Sequence, residues 1–344
     1  MNYRFRTQPR QVHLIDLPIL GFVIVTLMVW MAPFWSFADL FRQVWPVWMA
    51  GALALSISTF LLRAPRRILV SGLAFLILVP AIGPVFFVER GENWNSNDRG
   101  QDVSFATHNL WGRNRAHDLT ADVLIGMDAD ILALQESGIR TRSIHQALAN
   151  HYANEVTCNR APVRIFSRLP VTESGCLRDI LDENRSAGEP LWRWDFPAAV
   201  WARIELPDGE TFVVISVHFT WPNPLSSQNE ERINFAEIAQ MFDQESLVIL
   251  GDFNAATPSS ALSRFDRDLI PVRRTQSMPT WPSQGRWTNE AGNTVAIPTM
   301  FAGIDHIYAG ERWITGTVEV GPNTGSDHRP VFSRMIFLEA ESAN

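Results

Sequence analysis

Lysine is absent from this 344-residue chain, so all 29 basic residues other than histidine are arginine. We read that bias as genomic rather than chemical. Cysteine occurs only at Cys158 and Cys176, which excludes a zinc ribbon and any framework of several disulfides. The two cysteines are either one disulfide of an exported domain, where closing a loop of that size contributes roughly 3 kcal/mol, or two buried free thiols. A basic stripe is missing as well. Residues 1–90 hold eight Arg against three acids, which leaves 21 Arg against 33 acids, a balance of −12, for the rest of the chain. A field of that sign repels polyphosphate backbones and argues against a nonspecific nucleic-acid binder.

Charge is also absent from three long apolar runs, at about 17–38, 43–62 and 68–88. Each has about 20 residues, the length of helix that crosses a 30 Å hydrocarbon core. Trp30, Phe34, Trp35, Trp45, Trp48, Phe86 and Phe87 sit near their ends, where aromatic rings favour the headgroup level. A cleaved signal peptide does not fit, because the first run is too long and two more follow it. Residues 1–90 are therefore expected to form a three-helix membrane anchor. Arg4, Arg6 and Arg10 precede the first run, and Arg63, Arg66 and Arg67 separate the second from the third. The positive-inside rule then places the N-terminus in the cytoplasm of a multi-pass inner-membrane protein. Three spans deliver everything beyond the anchor to the periplasmic or extracellular side. Residues 91–101 form a short polar linker that holds the domain at 102–344 close to the lipid.

The remaining sequence alternates strand and helix signals. Strands are expected near 103–110, 130–135, 164–166, 199–206, 211–217, 247–250, 303–308 and 331–338, and helices near 117–128, 139–150, 229–243 and 259–268. Several apolar runs stop on polar residues: Asn109, Glu136, His218, Asp252 with Asn254, and Asp305, while Asp327 and His328 open the last strand. One such ending is ordinary turn chemistry. Taken together they imply one polar cluster at a sheet edge, where gathered carboxylates repel each other unless a cation is present.

In order, the chain reads HN at 108–109, LQE at 134–136, VH at 217–218, GDFN at 251–254, IDH at 304–306 and SDHRPV at 326–331. This series resembles the endonuclease/exonuclease/phosphatase superfamily, over about residues 102–338. The resemblance implies a four-layered α/β sandwich of two mostly antiparallel sheets flanked by helices, and metal-assisted hydrolysis of a phosphate ester. It implies Glu136 as the principal ligand of Mg²⁺, or of Mn²⁺ in its place, with Asn109 and Asp327 completing or supporting the metal shell. Asp252 is similar to the aspartate that positions or deprotonates the attacking water, and Asn254 to the donor that meets the pentacovalent phosphorane. His328 and Asp305 resemble the family's His–Asp pair, acting as base or as electrostatic clamp. His218 matches the branch with a histidine that holds or protonates a phosphoryl oxygen. Residues 162–168, PVRIFSR, depart from the family's usual strand, which leaves substrate contacts from that strand open. Arg164 reads either as a phosphate contact or as a structural arginine.

Two segments rich in tryptophan, 191–196 and 280–287, read either as a lip that touches lipid or an aromatic base, or as packing under long loops. Three functions follow. The first is hydrolysis of phospholipid or lipid-linked phosphate, suggested by the anchor, the short tether and the acidic domain. The second is an extracytoplasmic nuclease, which the charge disfavours. The third is a catalytically silent ligand-binding module, against which stands the retention of every expected polar residue.

Overall fold

The computed structural model describes residues 14–63, 65–82, 100–159, 161–184, 196–222, 225–288, 294–296 and 299–339. The chain divides into two compact units, 1–84 and 85–344.

The first unit contains α1 (Asp16–Met31), α2 (Ser36–Gln43), α3 (Trp45–Leu61) and α4 (Pro65–Ile82). The run expected at 17–38 is not one helix. It breaks between α1 and α2, which are bent by 114°, at the segment containing Pro33, a residue without the amide hydrogen that continuation needs. Among the described residues no single helix is long and apolar enough to cross a membrane, and α1 and α2 pass that test only as a bent pair. Residues 83–88 of the third run lie outside the described residues, as do 91–99 of the linker. Small side chains fill much of the centre of this unit: Ala38, Ala52, Thr59, Ser71 and Ala74 are buried, with Phe22, Val29 and Leu78. Large apolar side chains point outward on three of its helices, among them Leu20 and Leu27, Ile57 and Phe60, and Leu69 and Leu76.

The second unit holds two six-stranded sheets. The first takes the order β13 (Trp313–Val320), β14 (Val331–Leu338), β1 (Gly100–Asn109), β2 (Ile131–Gln135), β4 (Ala161–Ser167), β3 (Asn154–Cys158). The second runs β5 (Val171–Cys176), β6 (Ala198–Glu205), β7 (Thr211–His218), β8 (Val248–Asp252), β12 (Asp305–Ala309), β9 (Arg273–Arg274). A small hairpin of β10 (Arg286–Thr288) and β11 (Thr294–Ala296) stands apart from both. Most pairs are antiparallel, but each sheet contains one parallel pair, β1 with β2 and β7 with β8. The sheets are therefore mixed.

Alternation along the strands builds the layers. Val103, Phe105, Ile131, Ala133, Phe212, Val214, Val248 and Leu250 share one core between the sheets. The opposite face of the first sheet, with Ala106, Leu132 and Leu134, packs on Leu124 of α5 (His117–Gly126) and on Ile144 and Leu148 of α6 (Arg142–Leu148). The outer face of the second sheet, with Val213, Ile215 and Ile249, is covered by α7 (Leu177–Asn184), α8 (Leu225–Ala239) and α9 (Ser260–Asp268). The result is helix, sheet, sheet, helix, the four-layered α/β sandwich.

Cys158 at the end of β3 and Cys176 at the end of β5 form a disulfide across the two sheets, 18 residues apart in sequence. By loop-closure entropy the link contributes about 3 kcal/mol. The double variant Cys158→Ser/Cys176→Ser should lose about that much in chemical denaturation. An unchanged midpoint would show that the link adds nothing.

Candidate active site

The two parallel pairs decide where the polar residues go. Because β1 runs with β2 and β7 with β8, four carboxyl-terminal strand ends reach the same edge. Asn109 pairs with Gln135 in register, and His218 with Asp252. The antiparallel neighbour β12 starts where β8 ends, with Asp305 opposite Asp252. At this edge the inward face changes from aliphatic to polar. Just inside it, the fully buried Gln135 reaches Thr107 at 3.1 Å and, across the sandwich, Ser216 at 3.3 Å.

Local backbone geometry completes the arrangement. Glu136 leaves β2 with φ of 50° and Asn254 leaves β8 with φ of 45°. Side chains pay for that left-handed conformation, and such positions concentrate at functional sites. Gly251 in GDFN is required for another reason: a Cβ there would lie 1.9 Å from the Val217 carbonyl oxygen of the adjacent strand.

All eight residues singled out from sequence lie at this edge. The Asn109 amide nitrogen donates to Asp252 at 2.8 Å and to Glu136 at 3.3 Å. Its carbonyl oxygen accepts from the Trp111 N–H at 2.9 Å, which fixes the orientation of the amide. Asn109 thus bridges two carboxylates, and its oxygen is already engaged. Glu136 also accepts from the Gly112 N–H at 2.7 Å. His328 directs Nδ1 at Asp305, 2.9 Å away, and Nε2 lies 3.8 Å from Asp252. The His218 Nε2 lies 3.4 Å from Asp252 and 3.4 Å from the Asn254 amide. The Asn254 side chain donates to the Phe219 carbonyl, and its N–H to Asp252, both at 2.8 Å.

The electrostatics follow from these contacts. Burial works against a charge on His328, but the facing Asp305 and Asp252 carboxylates outweigh it and hold the imidazolium well above its usual range. Burial would likewise raise Asp252, yet His328 and then His218 bring it down to about 2. His218 is raised, its burial offset by the hydrogen bond to Asp252. Asp327 is pushed up to about 6, chiefly by burial and further by the charges of Glu136 and Asp252.

Asp252, Asp305 and His328 place ligand atoms within 4.8 Å of one another, and this buried group could hold a metal ion. Its lone pairs are heavily used, however. Asp305 accepts from His328 and from Thr280, and Asp252 from Asn109 and the Asn254 N–H. Asp327 differs, since its Oδ1 is buried with no partner, and Glu136 and Asp252 repel its charge. An orphaned carboxylate oxygen beside like charges is what a hard cation would satisfy. The residues present therefore fit a divalent metal, and Glu136 with Asp327 is the side on which oxygen lone pairs remain.

Several supporting residues gave little signal in the sequence. Thr280 donates to Asp305 at 2.5 Å. Trp281, from the aromatic segment 280–287, bonds the Asp327 carboxylate and packs edge-on against Trp221, which is 54% exposed. Residues 191–195 of the other aromatic segment lie outside the described residues. Arg164 pairs with Glu155 and donates to the Ser137 carbonyl, so its role is structural, although it borders a cleft described below.

Behind His218, α8 sends in Gln228, Glu231 and Arg232, all buried. Glu231 accepts from the Thr220 N–H at 2.9 Å and from its hydroxyl at 3.1 Å. Gln228 donates to the Thr220 carbonyl at 2.7 Å and to that of Asn254 at 3.1 Å. Together they clamp the loops that follow β7 and β8. Burial raises Glu231 to about 7. The folded state then binds a proton that the unfolded chain has released, so stability is full below the ordinary carboxylate range and is lost as pH rises through about 7. Glu231→Gln, which mimics the protonated form, should stabilise the protein at pH 8 by roughly 3 kcal/mol at most, and hardly at pH 5. Equal effects at both pH values in urea titrations would refute this.

The model of the Endonuclease/Exonuclease/phosphatase family matches residues 106–328, more than half of the chain. A comparison with curated proteins finds no match. Among solved structures, a family protein from Bacteroides thetaiotaomicron is 17% identical, with a TM-score of 0.52 over 70% of this chain and 99% of its own. One from Bacteroides vulgatus is 18% identical, with a TM-score of 0.53 over 69% and 99%. A mannosyl-6-phosphatase from Bacteroides thetaiotaomicron is 17% identical, with a TM-score of 0.52 over 68% and 100%. These likenesses concern the fold. The matched span begins within β1 and ends at His328, enclosing all eight residues that meet at the sheet edge, and the chain belongs to the endonuclease/exonuclease/phosphatase family.

Proposed function

We propose that the second unit hydrolyses phosphate esters with Mg²⁺ as its metal, replaceable by Mn²⁺. Its natural substrate is a phospholipid or a lipid-linked phosphate at the outer face of the plasma membrane. Family members are generally phosphate-ester hydrolases and typically depend on a divalent metal. The observation that carries the reading is the convergence of Glu136, Asp252, Asp305, Asp327, His218 and His328 at one edge.

Glu136 and Asp327 would hold the ion, with Asn109 tying the first of them to Asp252. A bound ion supplies neutralisation of the charge that builds on the phosphoryl oxygens. The protein supplies the rest. His328, kept cationic between two carboxylates, acts as an electrostatic clamp on a phosphoryl oxygen. Asn254 and protonated His218 add donors aimed at the same place, and each such donor is typically worth about 3–4 kcal/mol in the transition state. Asp252, whose carboxylate is held ionised by His328 and His218, orients the attacking water.

The first unit supports the lipid part. Large apolar side chains outside and small ones inside is the packing expected where the solvent is hydrocarbon. The arginine distribution directs the catalytic unit outward, and the Cys158–Cys176 disulfide suits an oxidising compartment. The exposed Trp221 beside the site suits contact with a lipid surface.

The test uses the full chain in detergent micelles with Mg²⁺ and either a bacterial lipid extract or plasmid DNA. Headgroup or phosphate release from lipid, absent in Glu136→Ala and with DNA intact, is the expected result. Nicked DNA with untouched lipid would make the protein a nuclease.

A further inference from the structure

A cleft of about 650 Å³ opens at the segment that follows Glu136, lined among others by Ser137, Gly138, Arg142, His145, Thr157 and Arg164. Ser137, the residue after Glu136, lines it, and the Gly138 N–H donates to the Glu136 main-chain carbonyl at 3.0 Å. Its volume suits a headgroup-sized ligand, and its lining mixes polar and apolar residues.

The charges of the cleft run against those of the domain. The catalytic unit is strongly acidic, yet this cleft presents two arginines against one acid, Glu155. Glu155 is already paired with Arg164, which also bonds the Ser137 carbonyl. Arg142 is exposed at the cleft wall and has no ion-pair partner among the described residues. His145 shares its Nε2 between the hydroxyls of Ser137, at 2.7 Å, and Thr141, at 3.1 Å. Burial, assisted by Arg164, lowers it to about 4, so it remains neutral and the formal charge rests with the arginines. Cys158 and Pro162 also line the cleft, and the disulfide anchors the end of β3.

We propose that this cleft is a subsite for a second phosphate, carried on the hydrophilic part of the substrate beyond the scissile ester, with Arg142 as its main recognition residue. The inference rests on the phosphoesterase reading and narrows it to substrates with a multiply phosphorylated, hydroxyl-rich headgroup. The cleft starts one residue beyond Glu136, and a guanidinium without a carboxylate partner suits a phosphate with two parallel hydrogen bonds. Ser137, Thr157 and Gln146 offer partners for hydroxyl groups.

The test titrates the full chain, in detergent and Mg²⁺, with D-myo-inositol 1,4-bisphosphate and with myo-inositol 1-phosphate. The bisphosphate should bind about tenfold more tightly. Arg142→Ala should bring the two probes within twofold of each other, and Arg142→Lys should keep part of the preference, with melting temperatures matching the wild type. Equal binding by the wild type, or a preference that survives Arg142→Ala, overturns the proposal. Turnover of the corresponding phosphoinositides in mixed micelles separates the two claims. Discrimination between the soluble probes without lipid hydrolysis would leave the subsite standing and sink the lipid reading. Hydrolysis of both lipids without discrimination would do the reverse.

Discussion

Glu136→Ala should lower kcat at least about 10³-fold while leaving the fold intact. The carboxylate stands half-buried at the end of β2 and, among the described residues, accepts only from Gly112 and, weakly, from Asn109. On the proposed role its removal takes a ligand from the metal side of the site, and loss of preorganised charge stabilisation of this kind costs several kcal/mol in the transition state. Metal-free stability should be unchanged or slightly raised, because Glu136 repels Asp327 and nothing buried is left without a partner. Circular dichroism melts with and without Mg²⁺, beside the turnover assay, check both parts. A variant that loses activity only because it unfolds would contradict the assignment.

His328 should behave differently. Its imidazolium is buried between Asp305 and Asp252, so His328→Ala removes both the cation of the proposed clamp and the partner of a buried carboxylate. We expect kcat to fall about 10²–10³-fold and stability to fall by about 3 kcal/mol. The double variant His328→Ala/Asp305→Asn should regain most of that stability, since the orphaned charge is gone, and should regain none of the activity. Such non-additivity is what direct contact produces. If stability and activity recovered together, the pair would be a scaffold element and the clamp assignment would fail.

Much of this was legible in the sequence because the site is written at strand ends. The apolar runs leading to Asn109, Glu136, His218 and Asp252 are buried and bounded by turn residues, and they appear as β1, β2, β7 and β8 within a few residues of their expected limits. Elements with weak alternation were not visible. β5 reads VTESGC and is mostly exposed, β3 is a short NEVTC, and β13 is an edge strand with a bulge between Thr315 and Val318. The helix α7, LRDILDEN, is too short to declare a period.

Pairing direction was beyond reach too. A strand list does not say that β1 runs with β2 and β7 with β8, although those two choices bring the polar ends together. The role of Asn109 also needed coordinates, because only the Trp111 contact shows which amide atom faces the carboxylates. Nor does hydropathy show that residues 17–38 turn through a sharp bend. It sums side chains and takes no account of the missing donor at Pro33. Glu231 and Gln228 escaped notice because polar residues on a helix normally read as its solvated face.

The central claim is that a divalent metal held at Glu136 and Asp327 drives phosphate-ester hydrolysis, and a metal titration tests it most directly. Chelator-treated full-length protein, supplied with bis(4-nitrophenyl) phosphate, should be inactive. Activity should return saturably with Mg²⁺ or Mn²⁺, and Asp327→Asn should need at least about tenfold more metal for half-restoration, a shift of about 1.4 kcal/mol in affinity. Full activity in the presence of excess chelator, or a metal requirement that Asp327→Asn leaves unaltered, would contradict the account.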